Sequence, residues 1–181
     1  MVEEIGVVNV TDEIISKATL DAESVLKIRR EARNNLAKRK ALQCRLDALE
    51  NENLTREEKA IWQAAGHWIL KQFDQAKASA KGLSSAVGNV IRGGLALECG
   101  HKDEAVELLQ KAAVSLSYTP KVTAEYAAAL RAVNKIPEAL KVIEKSKTED
   151  SDLWLQKGRC CEALGQQENA CNAYEKALAL D

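Results

Sequence analysis

Residues Leu153–Asp181 read LWLQKGRCCEALGQQENACNAYEKALALD. Gly165 divides the stretch, and beyond it Ala170, Tyr174 and Ala177 recur at steps of four and three, which share one face of an α-helix. Glycine takes the left-handed conformation that ends a helix without a steric penalty, so the stretch predicts two helices, Asp152–Leu164 and Gln167–Leu180, joined by a tight turn.

The same punctuation lies upstream. Lys71, Gly100, Asn134 and Gly165 are each followed five residues later by an alanine, namely Ala76, Ala105, Ala139 and Ala170, at intervals of 29, 34 and 31. Four residues beyond these stand Ala80, Leu109, Ile143 and Tyr174, and three further on Leu83, Ala112, Ser146 and Ala177. Each second helix thus carries a small-large-small stripe, and the fixed alanine lets two helices approach closely. Pro137 suits a first helical turn, and Asp74 and Asp103 can cap. Self-similarity at this period marks a stacked helical solenoid. A plain bundle with alanine seams is the alternative, but it does not require one spacing to recur four times.

These residues resemble the tetratricopeptide repeat family, whose pattern is W-x2-L-G-x2-Y, then A, an aromatic, A and a closing P over about 34 residues. Trp154, Gly158, Ala170, Tyr174 and Ala177 fall on that pattern, with Lys157 and Cys161 replacing the Leu and the Tyr. Gly93, Gly100, Ala105, Leu109 and Ala112 supply a second copy; Ala127, Ala139 and Ile143, introduced by Pro120, supply a third. Ala64, Phe73, Asp74 and Ala76 form the first, with Trp62 two residues off register. The resemblance implies an all-α, right-handed solenoid of about four helix pairs (57–85, 86–119, 120–150 and 151–181) after a long N-terminal helix. The domain organisation expected is a tail with a short helix over 1–20, a basic amphipathic helix over 21–53 and a repeat domain over 54–181.

Before the array, Thr11-Asp12 can start a short helix, and Asp21 to about Glu50 reads as one long helix with a bend at Asn34-Asn35. Val25, Ile28, Ala32, Leu36, Leu46 and Leu49 fall in one stripe, interrupted by Arg39. Thr55-Arg56-Glu57-Glu58 is a capping box that opens the first repeat. Lys27 to Arg45 holds eight basic residues and one acid, Glu31, in a chain of formal net charge −1. One reading of this segment is a helix that covers the apolar end of the array, since terminal repeats need capping. A two-stranded coiled coil is a second, weakened where Arg39 breaks the heptad pattern. The third is polyanion binding, to nucleic acid or anionic lipid, with Arg29, Arg33, Lys38, Arg39 and Lys40 as contacts. No aromatic interleaves these cations for base stacking, so nucleic acid is the less favoured partner.

Composition bounds the rest. Two prolines, 4% aromatics and much Ala, Leu, Glu and Lys favour helix over sheet. MVEEIGVVNV places acids before a short apolar run, unlike a signal peptide, and no run approaches the roughly 18 apolar residues of a membrane span. The sequons at Asn9 and Asn53 are therefore read as accidental, and Cys44, Cys99, Cys160, Cys161 and Cys171, odd in number and without CxxC spacing, as buried thiols of a reducing compartment. A cytoplasmic location is expected. His67 and His101 have no ligand partner at metal spacing, and Gly93-Gly94 lacks the Lys-Ser/Thr of a phosphate loop. No metal, cofactor or enzymatic activity is expected.

The function that follows from the resemblance is a non-catalytic interaction scaffold. In the family the first helices line a concave groove, which places Ile61, Ala65, Trp68, Val87, Val90, Leu97, Arg131 and Arg159 against a partner. The front of that lining is apolar and suits an amphipathic helix. Trp68 is the expected anchor, balanced evenly against a packing role between repeats. Some family members bind the acidic tails of chaperones through a two-carboxylate clamp. Here those places include Ile61, Ala65, Ile91, Lys121 and Glu125, of which only Lys121 fits, so that ligand class is excluded.

Overall fold

The computed structural model describes residues 10–180, with side chains from Glu13 onward. Residues 1–9, the side chains of Val10, Thr11 and Asp12, and Asp181 lie outside it, so the first sequon and the last residue are not described; the short helix expected to start at Thr11-Asp12 and run to about Ala18 spans Val10–Ile15. Every regular element among the described residues is helical. The chain divides into two compact units, one ending at Leu83 and the other beginning at Ser84.

In the first unit, α1 (Val10–Ile15), α2 (Ala22–Ala32) and α3 (Leu36–Ala48) precede a 3-10 turn at Leu49–Asn51. Then come α4 (Arg56–Ile69) and α5 (Phe73–Ala80). The single helix expected from Asp21 to Glu50 is two helices. Asn35 adopts an extended conformation and its side-chain oxygen accepts from the Lys38 backbone N–H at 3.1 Å, which starts α3 afresh. The reset also breaks the expected apolar stripe: Val25, Ile28, Ala32, Leu42 and Leu49 are buried, while Leu36 is 67% exposed. No helix of coiled-coil length remains in this segment. The capping box forms, with Thr55 Oγ1 accepting from the Glu58 amide at 3.2 Å and the Glu58 carboxylate accepting from the Thr55 amide at 2.8 Å.

The second unit consists of α6 (Ala86–Glu98), α7 (Lys102–Ser115), α8 (Pro120–Ala132), α9 (Ile136–Ile143), α10 (Ser151–Ala163) and α11 (Gln167–Ala179). Three hairpins form here, α6 with α7, α8 with α9 and α10 with α11; the first unit contains a fourth, α4 with α5. Each turns through one left-handed residue: Lys71 (φ 67°), Gly100 (85°), Asn134 (62°) and Gly165 (72°). In each, the next amide donates back five residues, as from Gln72 to the His67 carbonyl at 2.8 Å and from Gln166 to the Cys161 carbonyl at 2.9 Å. That is the Schellman closure of a helix C-terminus. The turn is followed by a helix whose fourth residue is Ala76, Ala105, Ala139 or Ala170, all buried. Asp74 and Asp103 sit in first turns and do not cap; Gln72 and His101 occupy the cap positions without a side-chain bond.

The hairpins close on a small residue. A Cβ added to Gly93 would stand 2.7 Å from Leu109 Cγ, and one on Gly158 would stand 2.5 Å from Tyr174 Cε1. In both the facing side chain comes sixteen residues later, from 93 to 109 and from 158 to 174. Ala64 with Ala80 and Ala127 with Ile143 occupy the same register.

Candidate partner-binding face

In the first unit, α4 carries Trp62 and Trp68, both fully buried. Helices α2 and α3 pack on α4, and α1 packs on α2 and α3. The Arg29 guanidinium of α2 lies over the Trp68 ring, 4.4 Å from its centroid. Arg45 of α3 lies over Trp62 at 4.9 Å, pairs with Glu52, and donates to the Lys17 carbonyl at 2.9 Å. The Trp62 indole N–H donates to the Ala18 carbonyl at 3.0 Å. Leu46 fills the space over Gly66, where a Cβ would stand 2.6 Å from it. Two aromatic rings, large apolar bodies with electron-rich faces, are thereby covered by the alkyl stems and charges of arginines.

This arrangement redirects the basic segment. Of the expected polyanion contacts, Arg29 stacks on Trp68, Lys38 pairs with Glu31, and an Arg39 N–H donates to the Leu70 carbonyl at 3.4 Å. Arg33 and Lys40 are exposed. A charge run that reads as a solvated face in the sequence therefore turns several members toward the unit's own core.

The expected groove residues divide by burial. Trp68, Ala65 and Val90 have no exposed surface and belong to the core. The anchor expected at Trp68 is thus a packed side chain, because α2 supplies a cover that lies far away in sequence. Ile61, Val87, Leu97 and Arg131 are half-buried, and Arg159 is exposed.

In the second unit α8 contacts both α6 and α10, so successive first helices pack side by side. The partly open positions along them include Val87 and Leu97 on α6, Ala128 on α8 and Leu155 on α10. At the helix starts Lys121 Nζ bonds Asp150 at 3.0 Å and Asp152 at 3.2 Å, tying α8 to α10. Burial opposes the Lys121 charge, but the two carboxylates outweigh it and hold its pKa above the ordinary lysine value. The one side chain that matches a chaperone carboxylate clamp is therefore already occupied by two acids of its own chain. Among the described residues no group of three His, Cys, Asp or Glu side chains could hold a metal ion. No helix among them is long and apolar enough to cross a membrane.

Residues 151–181 match the family model of the tetratricopeptide repeat, which assigns α10 and α11 to that repeat class. Among solved structures, the chain is similar to MamA MSR-1, with 17% identity over 89% of this chain and 98% of that one and a TM-score of 0.60. It is also similar to MamA AMB-1, with 16% identity over 89% and 93% and a TM-score of 0.58. MamA is a tetratricopeptide-repeat protein, and at these identities the likeness is one of fold: a tetratricopeptide-type array of helix pairs. No curated protein sequence matches the chain.

Proposed function

We propose that the protein is a non-catalytic scaffold that holds a partner protein, presented as an amphipathic helix, along α6, α8 and α10. The observation that carries this reading is the side-by-side packing of these first helices with apolar side chains left partly open on them, Val87, Leu97 and Leu155. Such a face accepts a helix that offers apolar residues at i, i+3, i+4 and i+7. The N-terminal helices take the role of a cap in this account, covering Trp62 and Trp68 rather than competing with the partner. The polyanion reading has less support, since Arg29, Lys38 and Arg39 are turned to internal partners. A cytoplasmic site of action accords with the free cysteines, of which Cys160 and Cys161 are buried as expected, whereas Cys44 and Cys171 are exposed and Cys99 is half-buried.

The test compares proteins that co-purify with the full chain from its source cell. Leu97→Glu and Leu155→Glu put a charge on the proposed face, while Val114→Glu, at a position 57% exposed on α7, puts one elsewhere. A partner retained by the wild type and V114E but lost by L97E and L155E, with melting temperatures unchanged, supports the reading. Retention by all four proteins contradicts it.

A further inference from the structure

Three second helices place a lysine at one repeat position. Lys111, Lys145 and Lys176 each stand six residues after the buried alanine of their pair, Ala105, Ala139 and Ala170. All three are exposed, and among the described residues no carboxylate pairs with any of them. Stacked repeats return equivalent positions to the same side of an array, so these lysines form a row at or just past the C-terminal ends of α7, α9 and α11.

Apolar and aromatic surface accompanies the row. Val114, one turn beyond Lys111, is 57% exposed, and Leu180, one turn beyond Lys176, is 45% exposed. Tyr118 and Trp154 are half-buried. Lys145 Nζ lies 4.7 Å from the Tyr118 ring centroid and donates to the Tyr118 hydroxyl at 3.1 Å. Lys176 Nζ and Lys157 Nζ lie 4.3 Å and 4.7 Å from the Trp154 ring centroid, so one half-buried indole holds two ammonium groups. Each ring is thus an apolar body beneath a cation. Glu107 stands one turn before Lys111 and weakens that end of the row, whereas Glu175 directly precedes Lys176 and so points about 100° away around α11.

We propose that this side of the second unit rests on an anionic lipid surface. Such a surface meets both features at once. Acidic headgroups attract the lysine row, and the boundary between headgroups and acyl chains takes up Val114, Leu180 and the amphipathic rings of Trp154 and Tyr118. Single-stranded nucleic acid would match the charge, but it needs open ring faces for its bases to stack on. Here the ring faces carry ammonium groups, and the side chains left most open are aliphatic. Because the row lies on second helices, α6, α8 and α10 stay free to hold a partner, and the lipid contact is independent of that reading.

The test is co-sedimentation of the full chain with vesicles of phosphatidylcholine alone and of phosphatidylcholine with about one-third phosphatidylserine. Binding to the mixed vesicles alone, weakening as salt rises, is the expected result. K145Q and K176Q should each lower affinity about fivefold, the loss for one lysine beside a charged surface, and the double variant about twentyfold or more. L180Q should lower it further by removing inserted apolar area. All these positions are exposed, and circular dichroism checks that the variants stay folded. R33Q/K40Q, which neutralises two exposed cations of the basic N-terminal segment, should bind as the wild type does. No pelleting with either vesicle, equal pelleting with both, or a loss in R33Q/K40Q but not in K145Q/K176Q overturns the proposal. Tighter binding of a single-stranded oligonucleotide, lost in K145Q/K176Q, assigns the row to nucleic acid and overturns it as well.

Discussion

The guanidinium of Arg29 lies 4.4 Å above the ring of Trp68, and no surface of that ring reaches solvent. Arg29 belongs to α2 and Trp68 to α4, so the contact joins the basic N-terminal segment to the first helix of the first repeat. It gives one cation of the basic segment an internal role and covers a tryptophan that is buried.

Arg29→Ala removes this stack and is expected to lower stability by about 1 kcal/mol, with Arg29→Lys intermediate. Trp68→Ala leaves a cavity and costs roughly 3–5 kcal/mol. Urea unfolding followed by circular dichroism reads both. Deleting residues 1–50 uncovers Trp62 and Trp68 together, so the truncated chain should melt earlier and bind a hydrophobic dye. Equal stability without extra dye would show that the segment covers nothing.

The glycines that close the hairpins make opposite demands from those of helix propensity. Gly158→Ala should favour an isolated helix by about 1 kcal/mol. In the folded chain the new methyl would stand 2.5 Å from the rigid Tyr174 ring, so the net effect is a loss of about 1–2 kcal/mol. Adding Tyr174→Ile recreates the Ala127–Ile143 register of the third pair and is expected to recover part of the loss. Thermal melts of the two variants check this.

Backbone handedness gives a separate prediction. Lys71 holds φ 67°, a conformation that costs an L-residue with a Cβ about 1 kcal/mol, whereas Gly100 holds φ 85° without that penalty. Lys71→Gly should therefore stabilise by up to about 1 kcal/mol, and Gly100→Ala should destabilise by about as much. Opposite signs of the two changes in denaturant midpoint are the expected result.

His67 and Lys121 give stability opposite dependences on pH. Burial lowers the His67 pKa below its ordinary 6.5, so the unfolded chain takes up the proton first. The stabilising contribution is complete above pH 6.5 and is lost as pH falls through the folded value; His67→Gln should flatten that part of the acid limb. Lys121 is raised above 10.5, where its burial is outweighed by Asp150 and Asp152. Its contribution is complete below pH 10.5 and is lost as pH rises through the folded value, a loss that Lys121→Met should abolish. Melting temperatures across pH test both signs.

The repeat was legible because its markers are local. A left-handed turn and a buried alanine five residues later are fixed by backbone sterics and helix spacing, as at Gly165 and Ala170. The break at Asn35 was visible only as a poor helix former; its capping bond to Lys38 decides the matter, and it competes with a stripe that reads smoothly across it. Sequence alone leaves Trp68 balanced between anchor and packed side chain because its cover comes from α2, and no periodicity within α4 records a neighbour thirty-nine residues upstream, from 29 to 68. The same distance hid the roles of Arg29 and Arg45, although Trp62 and Trp68, spaced by six, offered two ring faces for cations. Arg131 and Arg159 could be proposed from family positions, but the unsatisfied Nε of Arg131 belongs to packing alone.

Hydrogen–deuterium exchange of the full chain, with and without a co-purified partner, bears most directly on where binding occurs. New protection is expected along α6, α8 and α10, strongest near Leu97 and Leu155, with α7, α9 and α11 changed little. Protection confined to α7, α9 and α11, or to the basic segment between Lys27 and Arg45, would contradict it.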